Sequence, residues 1–325
     1  MNECPKLSDS EFRTFSARIG RDPLQVQGPG GNTSVKRGDV MWIKASGAEL
    51  AHAEGRDIFV AVDRAAALKE AHGSAGDGSC RATVLTPHTS LRPSIETTFH
   101  AALRHPVVAH THSVAALAHA IGPEGCAAAR DKLEGLPFVM VPYAKPGLPL
   151  TKSIMSMVRA ETSVIVLRNH GLICCGGSVP EVSDLLGEVE ERLAMPHTAV
   201  PYTPPKADPG PCMEWVDEGW MARHPRTCGL AVSGSYYPDH VVFLGPGGLP
   251  AAGQAGGRPA ILHEGVGIAL RTDASPSQRA MLRCLSDVLG RVPDEWSASP
   301  IGPRAEAELL DWDAERYRQA LAART

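Results

Sequence analysis

Through the first two hundred residues, the apolar positions switch repeatedly between a helical period and a strand period. A chain that changes period this often buries the apolar sides of both kinds of element by layering helices on a sheet, so an α/β domain is expected. Ser8 to Ile19 sets Phe12, Phe15 and Ile19 on one helical face behind a Ser cap. The Gly-rich turn QGPGGNTSVK then leads into a strand. Further strands are predicted over 39–45, 57–62, 107–111, 138–141 and 163–167, with one more after the turn RNHG. Between them the pattern predicts helices over 65–71, from Ser94 to about His105, from Ser113 to a stop at Gly122, over 150–159 and over 179–193. Residues 73–86, small and polar at first, read as a surface loop.

Between Pro196 and Pro211 the chain becomes PHTAVPYTPPKADPGP, which suits neither a helix nor a central strand. It reads as a linker, dividing the chain into a main domain over 1–198 and a smaller α+β unit over 199–325. In the second unit strands are expected at Tyr236–Leu244, 259–262 and 266–271, with a Gly-rich turn over 245–257 between the first two. Two helices, 277–289 and about 304–321, close the chain.

Charge and composition then exclude several classes of function. Thirty-two basic against 36 acidic residues give a net charge of −4 without a basic block, so nucleic acid is not an expected partner. No run of apolar residues is long enough to cross a membrane, and MNECPKLSDSEF lacks the pattern of a secretory signal, so a cytoplasmic protein is expected. The eight Cys form no C-x-x-C pair and read as small buried hydrophobes, the vicinal Cys174 and Cys175 as part of a buried strand.

The strongest chemical signal is His110-Thr111-His112 at the end of a strand-like run, where alternation points both imidazoles the same way. Thirteen His in 325 residues make one chance H-x-H triplet unsurprising. A third histidine in a matching context, His170, follows the apolar strand SVIVL. Strand ends collect ligand-binding residues, and three His with an open fourth position make a common catalytic zinc site. A turn histidine bonded to nearby backbone is the alternative for His170 alone. Glu96, near the start of the helix before the H-x-H strand, is either an ordinary dipole-complementing carboxylate or an acid/base beside the metal. Two small-residue turns, Gly28 to Ser34 and Ala45-Ser46-Gly47, suit an anion such as phosphate, although a plain turn explains either one. His240 and His263 are isolated and read as structural.

Taken in order, GGNTSVK, KASG, PSIETTFH, HTHS and RNHGL resemble the class II aldolase/adducin family, zinc-dependent sugar-phosphate aldolases typified by L-fuculose-1-phosphate aldolase. The resemblance covers roughly residues 8–200, and the remainder looks like the extension of longer members. It implies a three-layer α/β/α sandwich around a mixed, largely antiparallel sheet. It also implies that His110, His112 and His170 hold Zn2+, with Mn2+ or Co2+ as substitutes, and that Glu96 is the acid/base. Gly31, Asn32, Ser46, Gly47 and Ser94 match positions that hold the substrate phosphate, and Tyr143 falls near the rim of the site. Where family aldolases carry two consecutive Ser before the glutamate, this chain has Ser94-Ile95, one hydroxyl fewer for a phosphate. The activity implied is cleavage of a C–C bond in a small hydroxy-ketone or sugar phosphate through a zinc-stabilised enediolate. Epimerisation or decarboxylation would use the same metal site, and an adducin-like scaffold without catalysis is the reading from another class. A homo-tetramer is the assembly the resemblance implies.

Overall fold

The strand Val107–Thr111 is buried at every position, and so are Val164–Leu167 and Gly171–Gly176, so these short apolar runs lie where a sheet is covered on both faces. The computed structural model describes residues 7–86, 89–254, 256–312 and 317. They form two compact units, one of the chain up to Ser113 together with Leu133–Arg192, the other of Val114–Lys132 together with the chain from Leu193 onward.

The first unit is built on seven strands: β1 (Asn32–Arg37), β2 (Val40–Lys44), β3 (Phe59–Asp63), β4 (Val107–Thr111), β5 (Phe138–Val141), β6 (Val164–Leu167) and β7 (Gly171–Gly176). Their order across the sheet is β3-β2-β1-β4-β7-β6-β5, with β5 and β6 parallel and every other neighbouring pair antiparallel. The expected mixed, largely antiparallel α/β architecture is therefore present. On one face Val108, Ile165, Leu167, Ile173 and Cys175 pack with Phe99 of the helix Thr97–Ala102 and with Leu150 and Ile154 of the helix Leu148–Met157. On the other lies the helix Ser10–Arg21, whose Phe12 ring meets Phe59 at 5.1 Å and whose Ser16 Oγ meets Thr33 Oγ1 at 2.7 Å.

Several local expectations change. The first helix is capped by Asp9, which accepts from the Phe12 N–H, instead of by Ser8. The helix predicted from Ser94 to His105 is confined to Thr97–Ala102. Ser94 folds back at its start, its carbonyl accepting from both the N–H and the hydroxyl of Thr97. Glu96 consequently occupies the N-cap position, ahead of the first turn. The stretch 73–86 is anchored, since the buried Glu70 carboxylate accepts from the Gly78 and Cys80 N–H groups at 3.0 Å each.

The second unit carries a three-stranded antiparallel sheet, β8 (Met213–Val216), β9 (Ala260–His263) and β10 (Gly267–Arg271), in the order β8-β10-β9. Its core joins Leu117 and Ile121 to Trp220, Tyr236, Phe243, Met281 and Leu285. The helix Val114–Ala120 therefore packs with residues that follow it by a hundred positions or more, and Pro123–Lys132 falls in the same unit, which a division of the chain at 198/199 does not capture. The segment Tyr236–Leu244, expected as a strand, forms the helix Pro238–Leu244. All seven of its residues are buried, so no polar face marks the helical period, and Pro238 suits the first turn of a helix. β8 carries no apolar alternation strong enough to have been read. The last predicted helix is described over Pro303–Leu310, while most of 313–321 lies outside the described residues. Six of the cysteines are buried and outside any disulfide, Cys212 is exposed, and Cys4 lies outside the described residues.

Candidate metal centre

β4 puts His110 on the same face of the sheet as Val108, and His112 follows one residue past the strand end. β7 runs alongside with His110 opposite Ile173 and Thr111 opposite Leu172. The turn between β6 and β7 is Arg168-Asn169-His170, closed by a bond from the His170 N–H to the Leu167 carbonyl. Asn169 takes the left-handed conformation at φ 55°, which Asn tolerates better than most residues. His170 is thereby delivered beside the H-x-H pair. Gly171 is what permits this approach: a Cβ there would stand 2.3 Å from the Thr111 carbonyl oxygen.

The three imidazoles converge. Ring centroids are 5.0 Å apart for His110–His112, 5.0 Å for His110–His170 and 5.5 Å for His112–His170. One nitrogen of each ring lies within 4.8 Å of those of the other two, and all three residues are buried. His110 Nδ1 bonds the Leu172 carbonyl at 3.0 Å; a carbonyl only accepts, so Nδ1 carries a proton and Nε2 is the nitrogen that would face a metal. Carbonyl bonding of this kind fixes the tautomer and orientation of metal-ligating histidines. Three imidazole nitrogens converging from strand ends are a donor set that fits a divalent transition ion with an open coordination position, each ring binding through a deprotonated nitrogen.

Glu96 lies against the same group, Oε2 at 3.4 Å from His110 Nε2 and Oε1 at 3.3 Å from His170 Nε2. Burial works against its charge, but positive charge on the His110 and His170 rings, the Asn32 amide donor and His112 outweigh it in the metal-free site and hold the carboxyl down at about 2. Asn32 donates through Nδ2 to Glu96 Oε2 at 2.8 Å and to Ser94 Oγ at 3.3 Å. Ser94 Oγ also accepts from the Glu96 N–H at 3.2 Å.

Of the residues singled out for an anion, Asn32 and Ser94 thus touch Glu96 directly. Gly31, at φ 55°, passes so close to β4 that a Cβ would meet the His110 carbonyl oxygen at 2.9 Å. Ser46 and Gly47 form a half-buried turn joined to the group through the backbone, Ser46 N–H to the Arg92 carbonyl and Ser94 N–H to the Lys44 carbonyl. Tyr143 is half-buried.

Two residues escaped the sequence reading. The buried Lys44 ammonium donates to the carbonyls of Pro29, Ala48 and Gly30 at 2.6, 2.8 and 3.3 Å, tying the two small-residue turns together. His100 is fully buried and bonds Asn32 Oδ1 and Ser34 Oγ. The four-residue spacing from Glu96 to His100, which puts both on one side of a helix, was the available signal.

Residues 18–196 match the family described as the class II aldolase and adducin N-terminal domain. The chain belongs to this family. Among solved structures, this class II aldolase/adducin member is similar to the N-terminal class II aldolase domain of a conserved protein from Thermoplasma acidophilum. That similarity is 30% identity at a TM-score of 0.51, over 59% of this chain and 95% of the other. It is also similar to an L-fuculose 1-phosphate aldolase from Glaciozyma antarctica PI12, at 13% identity and a TM-score of 0.39 over 58% of this chain and 75% of that one. A curated relative, the uncharacterized oxidoreductase YuxG of Bacillus subtilis (strain 168), is 33% identical over 177 residues. The match spans 49% of this chain and a quarter of YuxG. Among the described residues, no helix is long and apolar enough to cross a membrane.

Proposed function

We propose that this class II aldolase/adducin member is a metal-dependent aldehyde-lyase that cleaves a C–C bond of a small hydroxy-ketone or sugar, phosphorylated or not. The observation carrying this reading is the convergence, in one buried site, of three histidine donor nitrogens with an ionised carboxylate against two of the rings. His110, His112 and His170 would hold the ion, Zn2+ on the softness of an imidazole set, with Mn2+ or Co2+ as substitutes. When bound, that ion supplies Lewis-acid stabilisation for negative charge building on the oxygens of a keto-alcohol.

The protein's own contribution is proton transfer and orientation. Glu96, ionised at neutral pH, accepts the proton of the substrate hydroxyl as the C–C bond breaks and the aldehyde leaves. The bonding pair stays with the keto fragment, and Glu96 returns the proton to its carbon. Asn32 and Ser94 fix the carboxylate and the backbone that carries it, and with Gly31, Ser46 and Gly47 they are assigned to the polar end of the substrate. The oxidoreductase name of YuxG belongs to a protein three-quarters of which lies outside the match, and it is not carried to this chain. A homo-tetramer is proposed on the family resemblance, for which light scattering in solution is the check.

The test is proton exchange at carbon, followed by NMR in deuterated water with metal-loaded protein and dihydroxyacetone phosphate, beside a chelator-treated control. Metal-dependent exchange is the expected result. No exchange from protein that retains its metal overturns a ketose-phosphate lyase. With a pentulose phosphate as substrate instead, accumulation of one epimeric sugar in place of two fragments would redirect the reading to an epimerase.

A further inference from the structure

Behind Glu96 runs a buried series of polar groups with one consistent direction. Asn32 Nδ2 lies 2.8 Å from Glu96 Oε2, so the amide presents its NH2, its only donor, to the carboxyl group. Asn32 Oδ1 is then turned the other way, onto His100 Nε2. An amide oxygen only accepts, so Nε2 carries the His100 proton, and Nδ1 is left as a lone pair that accepts from the Ser34 hydroxyl at 2.7 Å. Burial, with the Lys36 ammonium in support, keeps His100 from taking a second proton. The reverse orientation of Asn32 would press its oxygen against the carboxylate, two buried acceptors facing each other, which is costly.

The fold builds this series from two short periods. Asn32 and Ser34 alternate onto one face of β1, with Asn32 opposite His110 and Ser34 opposite Val108 on β4. Glu96 caps the helix whose next turn carries His100. Ser34, Asn32, His100 and Glu96 are all buried, so water does not substitute for a lost partner.

We propose that His100 is a positioning residue: its Nε2–H selects the amide orientation of Asn32 that holds the Glu96 carboxylate against His110 and His170. This rests on the role given to Glu96 above, and it assigns Asn32 to the acid/base as well as to the substrate.

The experiment uses the full chain and four variants: His100→Phe, which keeps a ring against Phe99 where the two now stack at 4.6 Å; His100→Gln, which retains a donor and an acceptor; Asn32→Ala; and the double variant His100→Phe/Asn32→Ala. Metal content is measured first, then the rate of metal-dependent carbon exchange. His100→Phe is expected to keep its metal, to lower kcat by about 10- to 100-fold and to leave KM within about twofold, the size of effect typical of groups that orient a site from behind. His100→Gln recovers part of that loss. In the double variant His100→Phe adds nothing to Asn32→Ala, because His100 acts through Asn32. Wild-type kcat in His100→Phe, or losses that multiply in the double variant, overturn the proposal. Independently of activity, 15N NMR of histidine-labelled protein, with His100 assigned from the His100→Gln difference, should show the Nε2–H tautomer. An Nδ1–H tautomer or an imidazolium at neutral pH overturns the proposal even in an active enzyme. An Nε2–H tautomer in a protein that exchanges no donor proton supports the hold on Asn32 and counts against the lyase reading alone.

Discussion

Replacing Gly171 by alanine tests whether the spacing of β4 and β7 is what brings the third histidine to the other two. A Cβ at this position would lie 2.3 Å from the Thr111 carbonyl oxygen, 3.3 Å from Cε1 of His110 and 3.3 Å from Cα of His112. Real Cβ atoms essentially never come closer than 3.0 Å to such neighbours, and the obstructing atom is backbone, which cannot swing aside as a side chain does. The strands must therefore separate by about 0.7 Å, more than the ~0.5 Å within which a metal or catalytic constellation keeps its geometry. Overpacking of this kind costs about 1–3 kcal/mol of stability, and a comparable displacement at a metal site lowers affinity on the order of 10- to 100-fold. The assay is Zn2+ competition against a chromophoric chelator, together with urea unfolding of the metal-free protein. Gly187→Ala is the control: it sits on the exposed side of the helix Val179–Leu193, where a Cβ would have nothing within 4 Å. There alanine should stabilise by roughly 0.5–1 kcal/mol and leave zinc binding unchanged. If Gly171→Ala binds zinc as the wild type does and unfolds at the same urea concentration, the close approach of β7 to β4 does not set the site.

His112→Ala removes one of three ligands, so added zinc should raise the Tm of the wild type and not of the variant, with carbon exchange lost in parallel; a variant that kept full metal and full activity would contradict the proposed centre. Glu96→Gln preserves shape and should retain metal while exchange slows on the order of 10²-fold or more; unchanged exchange would remove Glu96 from the chemistry. The depressed carboxyl also has a signature in stability. Its folded pKa of about 2 lies below the ordinary 4.5, so it stabilises the fold above that ordinary value, and the contribution is lost as pH falls from about 4.5 through 2. Metal-free wild type should therefore lose more stability over that window than Glu96→Gln, as measured by urea unfolding at stepped pH; parallel curves would show that the native site does not favour the ionised carboxylate.

Much of the sheet was legible because its strands are short, apolar and bounded by turn residues. β4 and β5 occupy the ranges that periodicity assigned them, and so does the helix Val179–Leu193. The histidines were legible for the same reason, since H-x-H on a strand obliges two rings to share a face. What failed had physical causes. Pro238–Leu244 is buried on all sides, so its pattern carries no helical period, and its apolar end with two adjacent valines matches a strand as well as a helix. Val114–Lys132 folds with the chain beyond Leu193, a partnership between segments remote in sequence that no local pattern encodes. His100 was passed over because its meaning depends on Asn32 and Ser34, which reach it from a strand more than sixty residues away.

By itself, then, the sequence determined the short, turn-bounded runs that make β1, β4 and β7 strands, the pairing of His110 with His112 on one face, and the motifs that mark the family. The tertiary structure brought His170 and Glu96, candidates in the sequence, against that pair, and it alone decided that Asn32 turns its amide toward the carboxylate and that a glycine must stand where β7 passes the Thr111 carbonyl. The division follows from the range of the forces: side-chain period is set within a few residues along the chain, whereas a buried site is set by backbone contacts and hydrogen bonds between segments brought together only when the sheet closes its layers.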